Sequence, residues 1–197
     1  MRLVLATRNA HKAREFSAML APHEVAALPD DVALPPETGE TFVANALQKA
    51  RAAAAATGAA TIADDSGIAA AALDGAPGVR SARFAGEDAT DAENLAKLVA
   101  QAPAGSALAY VCALVLVDPA SGEEHVFEGR CTGRMAERPR GDGGFGYDPC
   151  FVPDDLPAAP ERTMAELSPA EKDAISHRGR AARALRDHLR AATPAGR

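Results

Sequence analysis

The chain reads as an α/β protein with a partly antiparallel sheet. Two observations carry that reading. Short apolar, β-branched runs are interspersed with long segments of helical spacing, and two long apolar runs flank Ser121-Gly122 as a hairpin. Arg2 to Thr7 is the first strand, and Arg8-Asn9-Ala10 is a short loop. His11 to Ala21 has helical spacing, with Phe16, Met19 and Leu20 on one face, and Pro22 ends it. Val25 to Leu28 is a strand and Pro29 to Pro36 a loop. Thr41 to Thr57 is the longest helical pattern, with Phe42, Ala46, Ala50 and Ala53 inward and Gly58 placed to cap its C-terminus. Thr61 to Ala63 is a short strand running into Asp64-Asp65-Ser66-Gly67, a composition common in turns.

Gly75-Ala76-Pro77-Gly78 is a turn, and Thr90-Asp91-Ala92-Glu93 is a capping box that starts a helix running to about Ala102. The hairpin strands are Ala107 to Val117 and His125 to Arg134, followed by a glycine-rich loop from Arg140 to Gly146. Ser168-Pro169-Ala170-Glu171 is a second capping box, with proline at the first helical position. The last helix runs from about Gly179 to Ala191, and Thr193 to Arg197 is read as a frayed tail. No repeat or linker divides the chain, so residues 1–197 fit one domain or one two-lobed unit.

Bulk properties narrow the function. The net charge is −6, which disfavours a long nucleic acid as partner, because a polyanion rewards a basic face. A single nucleotide held by a few local cations and a metal stays open. Cys112, Cys131 and Cys150 are odd in number and lack CxxC spacing, so they read as buried small hydrophobes in a reducing compartment. The N-terminus has one short apolar run and is no signal peptide, and no stretch is long enough to cross a bilayer. The expected location is the cytoplasm, away from membranes.

Five segments could carry chemistry. Thr7-Arg8-Asn9-Ala10-His11-Lys12 stands at a strand-to-helix junction, where helix amides and a lysine favour an anion; taken alone, the segment is better explained by an ordinary N-cap by Asn9 with solvated basic residues. Asp64-Asp65-Ser66-Gly67 offers oxygen ligands suited to Mg²⁺ and a general base for water. Glu37-Thr38-Gly39 precedes the long helix, in which Asn45 and Lys49 share a face taken to lie opposite the alanine stripe, as a solvated polar face would. Gly143 to Pro149 places Phe145 and Tyr147 among glycines, where backbone and rings can approach a flat ligand and Asp148 can accept from a base or ribose. Lys172 and Ser176-His177-Arg178-Gly179 form a donor cluster between two helical stretches, suited to carbonyl oxygens of an oxidised purine.

Taken in order, these segments resemble the inosine/xanthosine triphosphate pyrophosphatase family over nearly the whole chain, from Leu3 to about Leu189. The resemblance rests on Ala6-Thr7 with Asn9 and Lys12, Glu37-Thr38-Gly39 with Thr41-Phe42, Asn45 with Lys49, and Ala63 to Gly67. It continues through Gly75 to Gly78, Ser81-Ala82-Arg83, Gly144 to Pro149 and Ser176 to Gly179. It implies an elongated, two-lobed α/β fold around a bent mixed sheet with flanking helices and the active site in a central cleft. It also implies a homodimer, Mg²⁺, and hydrolysis of inosine, deoxyinosine or xanthosine triphosphate to the monophosphate and pyrophosphate.

Carried onto this sequence, the resemblance implies that Thr7, Arg8, Asn9, Ala10, His11, Lys12 and Lys49 hold phosphates. By the same resemblance Glu37, Asp64 and Asp65 would bind metal or activate water, with Asp65 the base, and Ser66 would touch the substrate. Phe145, Gly146, Tyr147, Asp148, Lys172, His177 and Arg178 hold the base and sugar. Arg8 stands where many relatives have a small or amide residue, and Tyr147 where some have tryptophan. Two other readings compete: a pyrophosphatase for modified pyrimidine triphosphates, which needs a differently lined base pocket, and a nucleotide-binding regulator, which has no use for Asp65 beside Asp64.

Overall fold

The first strand, β1 (Arg2–Leu5), decides the layering of what packs on it. Side chains alternate across a strand. Leu3 and Leu5 join one core with Phe16, Met19, Leu20, Ala181, Leu185 and Leu189. Val4 and Ala6 join another with Ala46, Ala50 and Ala53. The helices that supply these residues are α1 (Ala10–Met19) and α5 (His177–Ala192) on the first face and α2 (Phe42–Thr57) on the second. These details come from a computed structural model that describes residues 1–156 and 161–192. The expected frayed tail, 193–197, lies outside the described residues.

Five further strands, β2 (Glu24–Ala27), β3 (Thr61–Ala70), β4 (Ala107–Asp118), β5 (Glu123–Met135) and β6 (Phe151–Pro153), complete an open six-stranded sheet in the order β2-β1-β3-β4-β5-β6. Parallel pairing sets Leu3 beside Val25 and Leu5 beside Ile62, while β5 and β6 pair antiparallel with Arg134 beside Val152. The sheet is therefore mixed, with flanking helices. The alternation repeats in β4, where Cys112, Leu114 and Leu116 enter the first core and Ala113, Val115 and Val117 the second.

The chain divides into two compact units. One comprises Met1–Asp65, Cys112–Gly129 and the chain from Arg178 onward; the other comprises Ser66–Val111 and Arg130–His177. The second has its own core, in which Ile68, Leu108, Tyr110, Cys131 and Met135 meet Leu98, Phe151 and Met164. Leu98 belongs to α3 (Asp91–Gln101), which starts at the expected capping box of Thr90 and Glu93. The second expected box, Ser168 with Glu171, starts α4 (Pro169–Ile175). All three cysteines are buried free thiols, and among the described residues no helix is long and apolar enough to cross a membrane.

One element corrects the sequence reading. Asp64 to Gly67 is no turn; β3 continues through it to Ala70. The glycine serves close approach instead. A Cβ at Gly67 would lie 2.3 Å from Ser81 Oγ and 2.5 Å from the Gly78 carbonyl oxygen. Without one, Ser81 Oγ accepts from the Ile68 amide at 2.9 Å and donates to Gly78 O at 2.7 Å. The short 3-10 segment Gly78–Arg83 is thereby held against the strand. The three-residue β6 was not anticipated, because a run that short gives no periodicity.

Candidate active-site residues

Within the first unit, β3 delivers Asp64 and Asp65, and neighbouring strand residues point to opposite sides. Asp64 is fully enclosed. Its Oδ2 lies 2.9 Å from Lys12 Nζ and 3.7 Å from Arg178 Nε. Burial opposes ionisation of Asp64, but the charges of Lys12, Arg178 and Lys49 overcome it and hold the carboxyl well below the usual carboxylate range. Asp65 behaves oppositely. Burial, and next the nearby charge of Glu37, push its pKa up. Two adjacent aspartates thus have environments that drive their protonation apart.

Asn45 and Lys49 are buried, which corrects the expected solvated face: Asn45 is 0% and Lys49 7% exposed. They precede Ala46 and Ala50 by one residue each, about 100° around a helix of 3.6 residues per turn, so they flank the alanine stripe and face β3. The Asn45 amide donates to Asp65 Oδ2 at 2.8 Å, and its oxygen accepts from the Gly39 amide at 2.7 Å. Lys49 donates to the Glu37 carboxylate and to the Asp64 carbonyl, the latter at 2.7 Å. Burial opposes charge on Lys49, yet Asp64, Glu37 and Asp65 raise its pKa, so the ammonium is secure. Asn45 was absent from the residues assigned roles from sequence; its four-residue spacing from Lys49 was the available signal.

At the strand-to-helix joint, Asn9 caps α1, its Oδ1 accepting from the His11 and Lys12 amides at 2.9 and 3.1 Å. Thr7 Oγ1 accepts from the Asn9 amide at 3.1 Å. Ala10 opens the helix, and His11 Nδ1 lies 2.9 Å from Arg14. Arg8 turns away from this joint, to the carbonyls of Leu28 through Val32. Arg178 joins the same unit's ion network, its Nη1 3.2 Å from Glu15 Oε2.

Among the described residues, no group of three or more histidine, cysteine, aspartate or glutamate side chains forms a metal cage. The donor set still suits a hard cation. Asp64 is neutralised by lysine and arginine and Glu37 is paired with Lys49, yet the charge of Glu37 still raises the pKa of Asp65, so these two carboxylates repel each other. Magnesium uses one or two carboxylates together with substrate phosphates and water, and such a pair matches that habit.

Within the second unit, Asp148 is the hub. It accepts from Lys172 Nζ at 2.7 Å, from the Phe145 amide at 2.9 Å and from Tyr110 Oη at 3.1 Å. Gly144, at φ 69°, closes over it, since a Cβ there would meet Asp148 Oδ2 at 2.0 Å. Lys172 Nζ stands 5.0 Å above the Phe145 ring, and the buried His177 ring stacks on Tyr110 at 4.6 Å. The Gly146 amide donates to Asp91 at 3.1 Å, and Tyr147 Oη donates to the Ser81 carbonyl at 2.7 Å. Tyr147 thus braces the loop through its hydroxyl. Ser66 follows Asp65 on β3 and is half-buried.

Interleaved carboxylates and lysines beside a helix N-terminus define an α/β protein equipped for phosphate anhydride chemistry. The chain belongs to the Ham1 family, whose sequence profile it matches over residues 3–188. It is 53% identical over 194 residues to the dITP/XTP pyrophosphatase of Mycolicibacterium paratuberculosis, with 93% of each chain covered. A HAM1 protein structure from Coxiella burnetii matches with a TM-score of 0.83 at 41% identity, covering 96% of this chain and 98% of that one. The nucleoside-triphosphatase / dITP/XTP pyrophosphatase structure from Mycobacterium abscessus matches with a TM-score of 0.72 at 48% identity, covering 94% and 98%.

Proposed function

We propose that the protein hydrolyses non-standard purine nucleoside triphosphates, namely ITP, dITP and XTP, to the monophosphate and pyrophosphate. It does so with Mg²⁺, as a cytoplasmic homodimer. The observation that carries the reading is Asp65, a buried carboxylate raised in pKa beside Glu37 and oriented by Asn45. A base for water needs this: an accepting oxygen fixed in direction, with a proton affinity above that of a free carboxylate.

Water attacks the α-phosphorus and its proton passes to Asp65; the α–β anhydride bond breaks and pyrophosphate leaves with the bonding pair. Magnesium, when bound through Glu37 and Asp65, supplies charge neutralisation to the phosphates. Lys12 and Lys49 add fixed positive charge, and Asp64 keeps both ammonium groups in place. Lys172, His177 and Arg178 supply donors for the 6-oxygen of the base, with Asp148 locking Lys172. The 145–148 loop limits what position 2 of the ring can carry.

Incubation with ITP and Mg²⁺, followed by separation of the products, tests the reaction. Inosine monophosphate and pyrophosphate in equal amounts are expected, with ATP cleaved far more slowly. Release of orthophosphate, or equal cleavage of ATP, overturns the proposal.

A further inference from the structure

We propose that Arg8 is a positioning residue for Glu37, acting through the loop between β2 and α2, and is not a phosphate ligand. Its Nη1 donates to Leu28 O at 3.0 Å. Its Nη2 lies 2.7, 3.3 and 2.8 Å from the carbonyl oxygens of Pro29, Asp30 and Val32. The Asp30 carboxylate stands 3.6 Å from Nη1. Four carbonyls of one turn, closed by the Val32 amide on Pro29 O at 3.1 Å, thus converge on one guanidinium. Such a loop has backbone acceptors with no strand partner. A planar group that only donates can serve several of them at once.

The path to Glu37 consists of anchors and stiff spacers. Leu28 is buried in the second core of the first unit, and Val32 and Leu34 pack against it. Pro35 and Pro36 fix two φ angles in succession. Glu37 then meets Lys49, and the Gly39 amide meets Asn45. Arg8 is the one anchor in this series that comes from the Thr7 to Lys12 joint. It therefore ties that joint to the loop carrying Glu37. When Arg8 is removed, the carbonyls of Leu28, Asp30 and Val32 lose the guanidinium, Pro29 O keeps only the Val32 amide, and the loop before Glu37 loosens.

The brace can be read without metal or nucleotide, by amide hydrogen exchange on the metal-free protein. Arg8→Ala should speed exchange across residues 29–40 by about tenfold, as loss of one to two net hydrogen bonds implies, with α5 unchanged. Arg8→Lys, which keeps charge and some donors, should fall between the two. Asp30→Ala, which removes only a side chain at the edge of the nest, should match the wild type. The consequence for magnesium rests on reading Glu37 as a metal carboxylate. Under that reading, Arg8→Ala raises the half-saturating Mg²⁺ concentration by ~10-fold, as loss of support behind a metal ligand does, and moves the KM for ITP much less. Unchanged exchange in 29–40 overturns the proposal, as does a large rise in KM at an unmoved Mg²⁺ requirement. Faster exchange with an unmoved Mg²⁺ requirement upholds the brace and removes Glu37 from the metal.

Discussion

The side-chain amide of Asn45 holds Asp65 Oδ2 at 2.8 Å while its oxygen holds the Gly39 amide at 2.7 Å, so one buried residue sets both the proposed base and the start of the segment after Glu37. Asn45→Ala removes both contacts and withdraws the Asn45 support from Asp65. The expected result is a fall in kcat of about 10–100-fold, the size of lost support behind a reacting group, with KM moved less. Asn45→Asp keeps the shape but sets a second carboxylate against Asp65, so its rate should recover as pH falls. A drop confined to KM would place Asn45 on the substrate instead.

Asp65→Asn should separate activity from stability. Loss of the base costs ~10²–10⁴-fold in rate at saturating Mg²⁺. For folding, the sign follows from the raised pKa. The native state holds the proton more tightly than the unfolded chain, so Asp65 costs stability as pH rises from its unfolded value through its folded one. The metal-free variant should therefore melt higher than the wild type at pH 7. Thermal melts with and without Mg²⁺ check this; an Asp65→Asn variant that melts lower refutes it.

Asp64 carries the opposite sign. Its depressed pKa gives stability that is present above the ordinary carboxylate range and is lost as pH falls through the folded value. Lys12→Met keeps the stem and removes the charge beside an enclosed carboxylate. Breaking a buried pair from one side costs about 3–5 kcal/mol, with the remaining contacts of Arg178 and Lys49 placing the expected loss at the low end. Under the proposed phosphate role of Lys12, ITP and GTP hydrolysis should fall by similar factors. A loss restricted to one nucleotide would make Lys12 a base reader.

Base selection is expected to follow donors. Lysine and arginine cannot accept hydrogen bonds, so adenine's amino group leaves both sides unpaired, a mismatch able to reject a substrate by ~10⁴–10⁵-fold. Lys172→Met and Arg178→Ala should each narrow the ITP-to-ATP ratio of kcat/KM and leave the ITP-to-GTP ratio nearly unchanged. The Lys172 variant also takes the lysine from Asp148, which keeps the Phe145 amide and Tyr110, so Lys172→Arg serves as the control that keeps a donor. An unchanged ITP-to-ATP ratio in either variant removes that residue from the reader.

Much of this was legible in the sequence, for identifiable reasons. Thr90 with Glu93, and Ser168 with Glu171, are local hydrogen-bond pairs, and local signals survive without tertiary knowledge. Gly58, at φ 64°, ends α2 where a left-handed residue was expected. Apart from the three-residue β6, too short to show a period, the differences are tertiary. Gly67 looks like a turn residue until Ser81 is seen against it, and Asn45 looks solvated until β3 supplies Asp65. Arg8 is the same kind of case, because its partners are carbonyls some twenty positions away, and carbonyls leave no mark in a sequence.

The alanines of α2 have a further consequence for how this chain tolerates change. Ala46, Ala50 and Ala53 are each fully enclosed, and they lie next to the polar residues that serve Asp64 and Asp65. A larger side chain there lifts the helix at a cost of about 1–3 kcal/mol, which a domain of this size can survive. The lift also carries Asn45 and Lys49 away from β3. In a saturation library sorted separately for soluble expression and for turnover, these three positions should accept valine in the first sort and reject it in the second. Selection for turnover at them would then act through the width of a methyl group, although none of the three has an atom that could take part in the reaction.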